Sequence, residues 1–400
     1  MRVSNLCKAM SIGLISVMIG FSSVQAQDVI KVGMSAAKTG PLSGGTAVTQ
    51  WPNLKLWEHT VNAKGGIKVG DKRMPVKIFE YDDRSHPTDA VKNIQRMINK
   101  DKVDFVVAPY GTGINLAVAP ILAKYGYPHI AVSSITDKGD EFTKRWPNMF
   151  LTLGTSTGFA ESVADVLKKM RDQGKIGNKV AVVNVADAFG IELAHVGKPA
   201  LEKAGFEIVY ETSYPLGTQD LAPVINGAKN AKPDAFVAFS YPPDTFALTE
   251  QAKISNLEVK AFYVGVATCF PAFEKRFGSA AQGIFGAGGI NPDTPEMKAY
   301  FKSHLEVTGV AADYWASATT YASLQVLEQA IERAGTIDHP QVIKTIKNGT
   351  FDTVMGKITF DGNINRKFWT MGQWQDGVFY GVASTGLDGE KEPIIKTGWK

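Results

Sequence analysis

The sequence predicts an α/β chain folded as two Rossmann-like lobes. Short runs rich in β-branched and aromatic residues alternate with amphipathic stretches of helical period, the mark of parallel sheets with crossover helices. The chain has 400 residues, and about 370 follow its first segment. That exceeds the ~250 to 300 at which a single hydrophobic core stops growing. An apolar content of 44% is ample for two cores.

The first segment, residues 1–26, reads as a cleavable export signal. Arg2 and Lys8 form a basic start, residues 10–21 are an almost uncharged apolar run, and Val24-Gln25-Ala26 offers the small residues of a cleavage site before Gln27. The run is short of the ~20 residues that cross a bilayer, so an anchor is the weaker reading. Cys7 precedes the apolar run and cannot be the first residue of a mature lipoprotein.

After the signal, strands are expected at 30–34, 76–81, 105–108, 129–132, 149–153, 180–185, 207–210, 235–239 and 261–264, each a short apolar run of the kind a parallel sheet buries. Helices are expected between them at 51–61, 87–100, 115–124, 158–171, 190–204, 221–230 and 245–255, where the apolar period lengthens. Gly154-Thr155-Ser156-Thr157-Gly158 separates the strands into two sets. After Gly286-Ala287-Gly288-Gly289 the rhythm changes to helices at 295–308, 314–334 and 340–347, which have no strands of their own and must cover a sheet built earlier, most simply the first lobe's. Strand-like runs at 357–360 and 369–374 flank the turn Asp361-Gly362-Asn363 and return the chain to the second lobe. The expected lobes are therefore 27–153 plus 288–367, and 154–287 plus 368–400. Repeated crossing makes a hinge, and a hinge makes a cleft. The tail from Gly381 is glycine- and charge-rich; it is expected to lie against the second lobe or to be partly disordered.

Composition excludes several classes. The formal charge of +4 falls to +2 without Arg2 and Lys8, no basic stripe is interleaved with aromatics, and nucleic acid is not an expected partner. Cys269 is the only cysteine after the signal, so no intramolecular disulfide can form. The histidines and Cys269 show no metal-ligand spacing; neither metal nor cofactor is expected.

Pro109-Tyr110-Gly111-Thr112-Gly113 joins a strand end to a helix start, where free backbone N–H groups and the positive end of the helix dipole favour an anion. The alternative is that these glycines merely turn the chain. Ser133, Ser134 and Thr136 follow the strand at 129–132 and either add hydroxyls to the same pocket or cap a turn. Phe189 and Tyr241, with Tyr110 and Phe270 behind them, follow strands and either wall a cleft or fill the core. Residues 154–158 match the serine hydrolase nucleophile elbow, but His195 lies within a helix pattern soon after Asp187, and His304 lies in a polar helix without a strand-end loop, so Ser156 lacks a triad. No catalytic residue is expected.

Taken in order, these segments resemble a known family. Ile30-Lys31-Val32-Gly33 with Thr39-Gly40-Pro41-Leu42, Val61-Asn62-Ala63-Lys64-Gly65-Gly66-Ile67 and Tyr81-Asp82-Asp83-Arg84-Ser85-His86-Pro87 are similar to segments of type I periplasmic solute-binding proteins of the branched-chain amino-acid-binding kind. So are Asp187-Ala188-Phe189-Gly190, Lys232-Pro233-Asp234-Ala235 and Phe360-Asp361-Gly362. The resemblance implies two α/β lobes joined by a three-strand hinge, a small-molecule ligand held between them, and delivery to the membrane permease of an ABC transporter from a periplasmic location. It also implies that Thr112 holds a ligand carboxylate, that the segment Ser133 to Thr136 adds backbone and hydroxyl contacts, and that Phe189 and Tyr241 are cleft aromatics. One position departs: amino-acid binders of the family carry an acid where Ala267 stands, to pair with the ligand ammonium. An ammonium buried without a counter-charge costs several kcal/mol. The expected ligand is therefore a small apolar or aromatic carboxylate or an amide, with a hydrophobic amino acid admitted only if Asp187 or Asp244 substitutes. A monomer is expected. A sensor presenting its closed form to a membrane receptor would share the same cleft, and an esterase acting through Ser156 is the remaining alternative.

Overall fold

The chain builds two parallel-rich sheets, seen in a computed structural model that describes residues 28–399. The export-signal segment, residues 1–26, lies outside the described residues. In the first sheet Val76–Asp82, Ile30–Ala36 and Phe105–Val107 run parallel in that order. Beside Phe105–Val107 lies the parallel pair His129–Ala131 and Met149–Leu151, and Ile364 bridges onto Leu151. The second sheet has 7 strands, in the order Val378–Ser384, Trp369–Gln375, Ile284–Ala287, Ala261–Val264, Ala235–Phe239, Lys179–Val185, Glu207–Tyr214. Trp369–Gln375 alone runs against the rest, pairing antiparallel with Ile284–Ala287 on one side and with Val378–Ser384 on the other.

Sequence accounts for these elements locally. Ala235–Phe239 and Ala261–Val264 are buried along their whole length, as strands covered by helices on both faces must be. Phe236 and Phe262 are paired in register and stack at 5.0 Å, a cross-strand contact that pins the pairing. Helix starts carry their own acceptors: Thr155 caps Ser156–Asp172 through Gly158 N, and Asp187 caps Ala188–Lys203 through Gly190 N. The helices Pro295–Thr308 and Ala316–Ala334 pack on the first sheet, where Leu324, Leu327 and Ile331 share a core with Ile30, Val32 and Met34.

Two elements differ from the sequence reading, and the tail takes the first of its two expected alternatives, lying against the second lobe. The strand Ile284–Ala287 runs through glycines that suggest a loop. Gly286 is there for closeness rather than for turning, since a β-carbon on it would meet Thr268 Cβ at 2.4 Å. The run at 357–360 pairs backwards, as Gly356–Thr359 with Thr350–Thr353, because Phe351 and Ile358 meet across that hairpin and both enter the first core. The tail is ordered. Val378–Ser384 forms the outer strand, Lys396 donates its backbone N–H to Lys260 O, and the Trp399 ring meets Phe262 edge-on at 5.1 Å while its Nε1–H donates to Leu257 O. Among the described residues the chain passes between the sheets at 152–155, 288–294 and 365–368.

Candidate ligand-binding site

In each sheet the strand order reverses once, and the crevice beyond the carboxyl ends at that reversal is where α/β sheets take ligands. The reversal falls between Ile30–Ala36 and Phe105–Val107 in the first sheet, and between Lys179–Val185 and Ala235–Phe239 in the second. The two crevices face each other. Tyr110, just past the first sheet, lies with its ring centroid 6.4 Å from that of Tyr241, just past the second, and Tyr241 lies 4.9 Å from Phe189. A β-carbon on Gly111 would sit 3.5 Å from the Tyr241 hydroxyl, so the backbone of one lobe meets the aromatic wall of the other.

On the first lobe, Gly111 opens the helix Thr112–Lys124, whose first N–H groups lack intrahelical partners. Thr112 Oγ1 accepts from Ile135 N and donates to Ile135 O, both at 3.2 Å, which pins the helix start against the loop after His129–Ala131. Ser133 is spent locally, accepting from Gly111 N and donating to Pro109 O. Ser134 is buried with no protein partner for its hydroxyl. Thr136 donates to Glu192 Oε2 of the second lobe at 3.0 Å. Sequence reasoning missed the support behind this loop. Asn115 Nδ2 donates to Pro109 O and Gly111 O, and His129 Nε2 lies 3.0 Å from Asn115 Oδ1. Burial pushes the His129 imidazole down to about 3, so it is neutral and its Nε2–H is the donor to Asn115. An asparagine one turn into a helix behind two glycines was the available signal.

On the second lobe, Asp187 and Asp244 flank Tyr241. Asp187 accepts from Gly190 N at 2.9 Å; burial raises its carboxyl above the ordinary range, and the Tyr241 hydroxyl beside it pulls it partly back. Asp244 accepts from Tyr241 N and from the Tyr214 hydroxyl, and burial pushes it up to about 6. Burial, followed by the charges of Asp187 and its neighbours, holds the Tyr241 phenol well above its usual value, so it is neutral. Ala267 is wholly buried at the end of Ala261–Val264 with φ 79°. Next to it Phe270 and Cys269 are buried, and the Cys269 thiol, pushed up by burial and by Asp313, stays protonated. Asp313 is itself saturated by Trp315 N, Ala316 N, Ser317 N and the Ser317 hydroxyl.

The elbow serine is also accounted for. Ser156 is buried at a helix start and donates to Glu192 Oε1 at 3.0 Å; His195 belongs to the same helix as that glutamate. A groove of about 370 Å³ lies behind the crossovers, lined by Ile290, Met297, Met355 and Trp369. The start of the helix Pro295–Thr308 opens into it, but its cap Thr294 already accepts from Met297 N, and the carboxylates of Glu296, Asp352 and Asp388 outnumber Lys357 and disfavour an anion there.

Known proteins share this fold. The chain is 28% identical over 372 residues to the Leu/Ile/Val-binding protein homolog 3 of Brucella melitensis, covering 91% of this chain and 96% of that relative. The branched-chain amino acid substrate-binding protein of Streptococcus pneumoniae, solved with isoleucine, superposes with a TM-score of 0.76 at 19% identity, covering 89% of this chain and 99% of the other. A solute-binding protein of an ABC transporter from Rhodopseudomonas palustris, solved with 3,4-dihydroxybenzoic acid, superposes with a TM-score of 0.76 at 21% identity over 92% of this chain and 99% of that one. The family model described as periplasmic binding protein matches residues 29–377, almost the entire span that carries the two sheets and their facing crevices, and the chain belongs to that family.

Proposed function

We propose that this protein is the periplasmic solute-binding component of an ABC uptake transporter and that it captures a small aromatic or apolar carboxylate. The observation that carries the reading is the meeting of the two crevices at Tyr110, Tyr241 and Phe189, with the helix start at Thr112 offering N–H donors without intrahelical partners to an anion. The ligand carboxylate accepts from the N–H groups at that helix start, whose first residue Thr112 is pinned by Ile135, and Ser134 supplies a further hydroxyl. Its body lies against Tyr241 and Phe189. The lobes, 27–153 plus 288–367 and 154–287 plus 368–400, close on it as bodies about the crossovers, the chain acts as a monomer without cofactor, and the closed surface is what the permease reads.

The choice of acid over amino acid rests on charge. Ala267 offers no counter-charge for an ammonium, while Asp187 and Asp244 are already engaged with Gly190, Tyr241 and Tyr214. The relative solved with 3,4-dihydroxybenzoic acid supports an aromatic acid, and the one solved with isoleucine supports the alternative. A thermal-shift screen of residues 27–400 separates them. Ligand at a hundred times its dissociation constant adds about 2.7 kcal/mol of stability. Benzoates or aliphatic acids are expected to raise the melting temperature and branched-chain amino acids to leave it unchanged. The reverse pattern would overturn the ligand assignment, and no response to either class would overturn solute capture at this cleft.

A further inference from the structure

We propose that Glu192 and Asp137 form a reciprocal latch that holds the lobes closed, so that they set ligand affinity without touching the ligand; this rests on the solute-capture reading. Each lobe lends the other a carboxylate. From the second lobe, Glu192, one turn into the helix Ala188–Lys203, accepts from the Thr136 hydroxyl at 3.0 Å and from the Asp137 N–H, both on the loop after the first-lobe strand His129–Ala131. From the first lobe, Asp137 accepts from Thr157 N at 2.8 Å and from Thr157 Oγ1 at 2.7 Å, at the start of the second-lobe helix Ser156–Asp172. Ser156 Oγ donates to Glu192 at 3.0 Å and ties the two halves together.

The physics favours this pair over an incidental surface contact. Asp137 meets the N-terminal end of a helix of 17 residues, where the dipole and unpaired N–H groups stabilise a negative charge. Glu192 takes three donors on two oxygens, and two of those donors, Thr136 and Ser156, are buried. Separating the lobes removes the Thr136 and Asp137 donors from Glu192 and Thr157 from Asp137, and only water replaces them. Such bonds exist in the closed form alone, so they act on the open-to-closed equilibrium. Apparent affinity then falls by the factor that closure loses. The latch also explains the hydroxyls of Thr136 and Ser156: the first belongs to closure rather than to the pocket, and the second is a latch donor rather than a nucleophile.

The test uses the mature chain, residues 27–400, with 3,4-dihydroxybenzoate as probe. Small-angle scattering of the ligand-free and probe-saturated protein reports closure, calorimetry reports affinity, and thermal unfolding reports integrity. Glu192→Ala and Asp137→Ala are each expected to shift scattering toward the open form and to weaken the probe at least about ten-fold, the least that losing one charged hydrogen bond implies. Melting of the ligand-free protein should stay within a few degrees of the wild type. Glu202→Ala, an exposed change on the same helix as Glu192, should do neither. Unchanged scattering and affinity in both variants would overturn the latch. So would a loss confined to Glu192→Ala, because that pattern describes direct ligand contact. If the probe fails to bind the wild type, the ligand assignment fails, and the ligand-free scattering alone decides the latch.

Discussion

Ala267 is wholly buried in left-handed backbone, with φ 79°, at about the position where the resemblance to amino-acid binders implies an acid. Non-glycine residues carry a cost of roughly 1 to 2 kcal/mol there, and aspartate and asparagine carry the least. Ala267→Asp therefore suits the backbone while adding a carboxylate to the cleft. Isoleucine affinity, measured by calorimetry, is expected to rise at least about ten-fold, whereas an unchanged isoleucine affinity would place the ammonium site elsewhere. Asp83 shows the same logic through pH. Burial, with Asp82 and Asp89 adding repulsion, pushes its carboxyl up to about 6 from 3.8, against one hydrogen bond from Ser85 N. A folded-state value above the unfolded one stabilises the protein below pH 3.8 and loses that contribution as pH rises through about 6. Asp83→Asn keeps the acceptor for Ser85 and removes the buried charge. Unfolding is expected to show it stabilising by roughly 1 to 3 kcal/mol at pH 8 and about half as much at pH 5; an equal gain at both would assign the effect to something other than ionisation.

At the scale of elements, the first crossover depends on Gly154. Its φ is 73°, and a β-carbon there would lie 1.8 Å from the Phe368 ring, which belongs to the third crossover and stacks on Phe159 at 5.2 Å. Gly154→Ala is expected to destabilise by roughly 2 kcal/mol or more in urea unfolding, because it combines strain with overpacking against a ring that cannot retreat. A change below about 0.5 kcal/mol, the range of neutral surface substitutions, would mean that the crossovers are not packed together. The sequence was most legible where a single period governs a segment: the buried runs of the second sheet and the long helices over the first were readable from apolar spacing alone. Ile284–Ala287 was not, because Gly286 answers to Thr268, a neighbour that only the fold brings close. The tail was legible only as far as its place against the second lobe: it is held there by backbone bonds and by Lys396 and Trp399, none of which leaves a periodic signal. At the site, strand-end position singled out Thr112, Phe189 and Tyr241. Glu192 and His129 act through partners distant in sequence and left no signal, whereas Asn115, which bonds Pro109 O and Gly111 O close by, was readable and passed over.

For the whole molecule, closure ties the chemistry together. Two sheets of the same winding present their reversal points to each other, so a solute that bridges them is shielded by aromatic rings on one side and oriented by a helix start on the other. A micromolar dissociation constant corresponds to about 8 kcal/mol, within reach of a few charge-assisted hydrogen bonds and one buried ring. The interlobe bonds of Glu192 and Asp137 add to closure whatever the solute contributes. The most direct measurement is a crystal structure of residues 27–400 grown with 3,4-dihydroxybenzoate. The acid is expected in the interlobe crevice beside Tyr110 and Tyr241, its carboxylate within hydrogen-bonding distance of the N–H groups that open the helix Thr112–Lys124. Density for the acid in the groove lined by Ile290, Met297 and Trp369, with the interlobe crevice unoccupied, would contradict it.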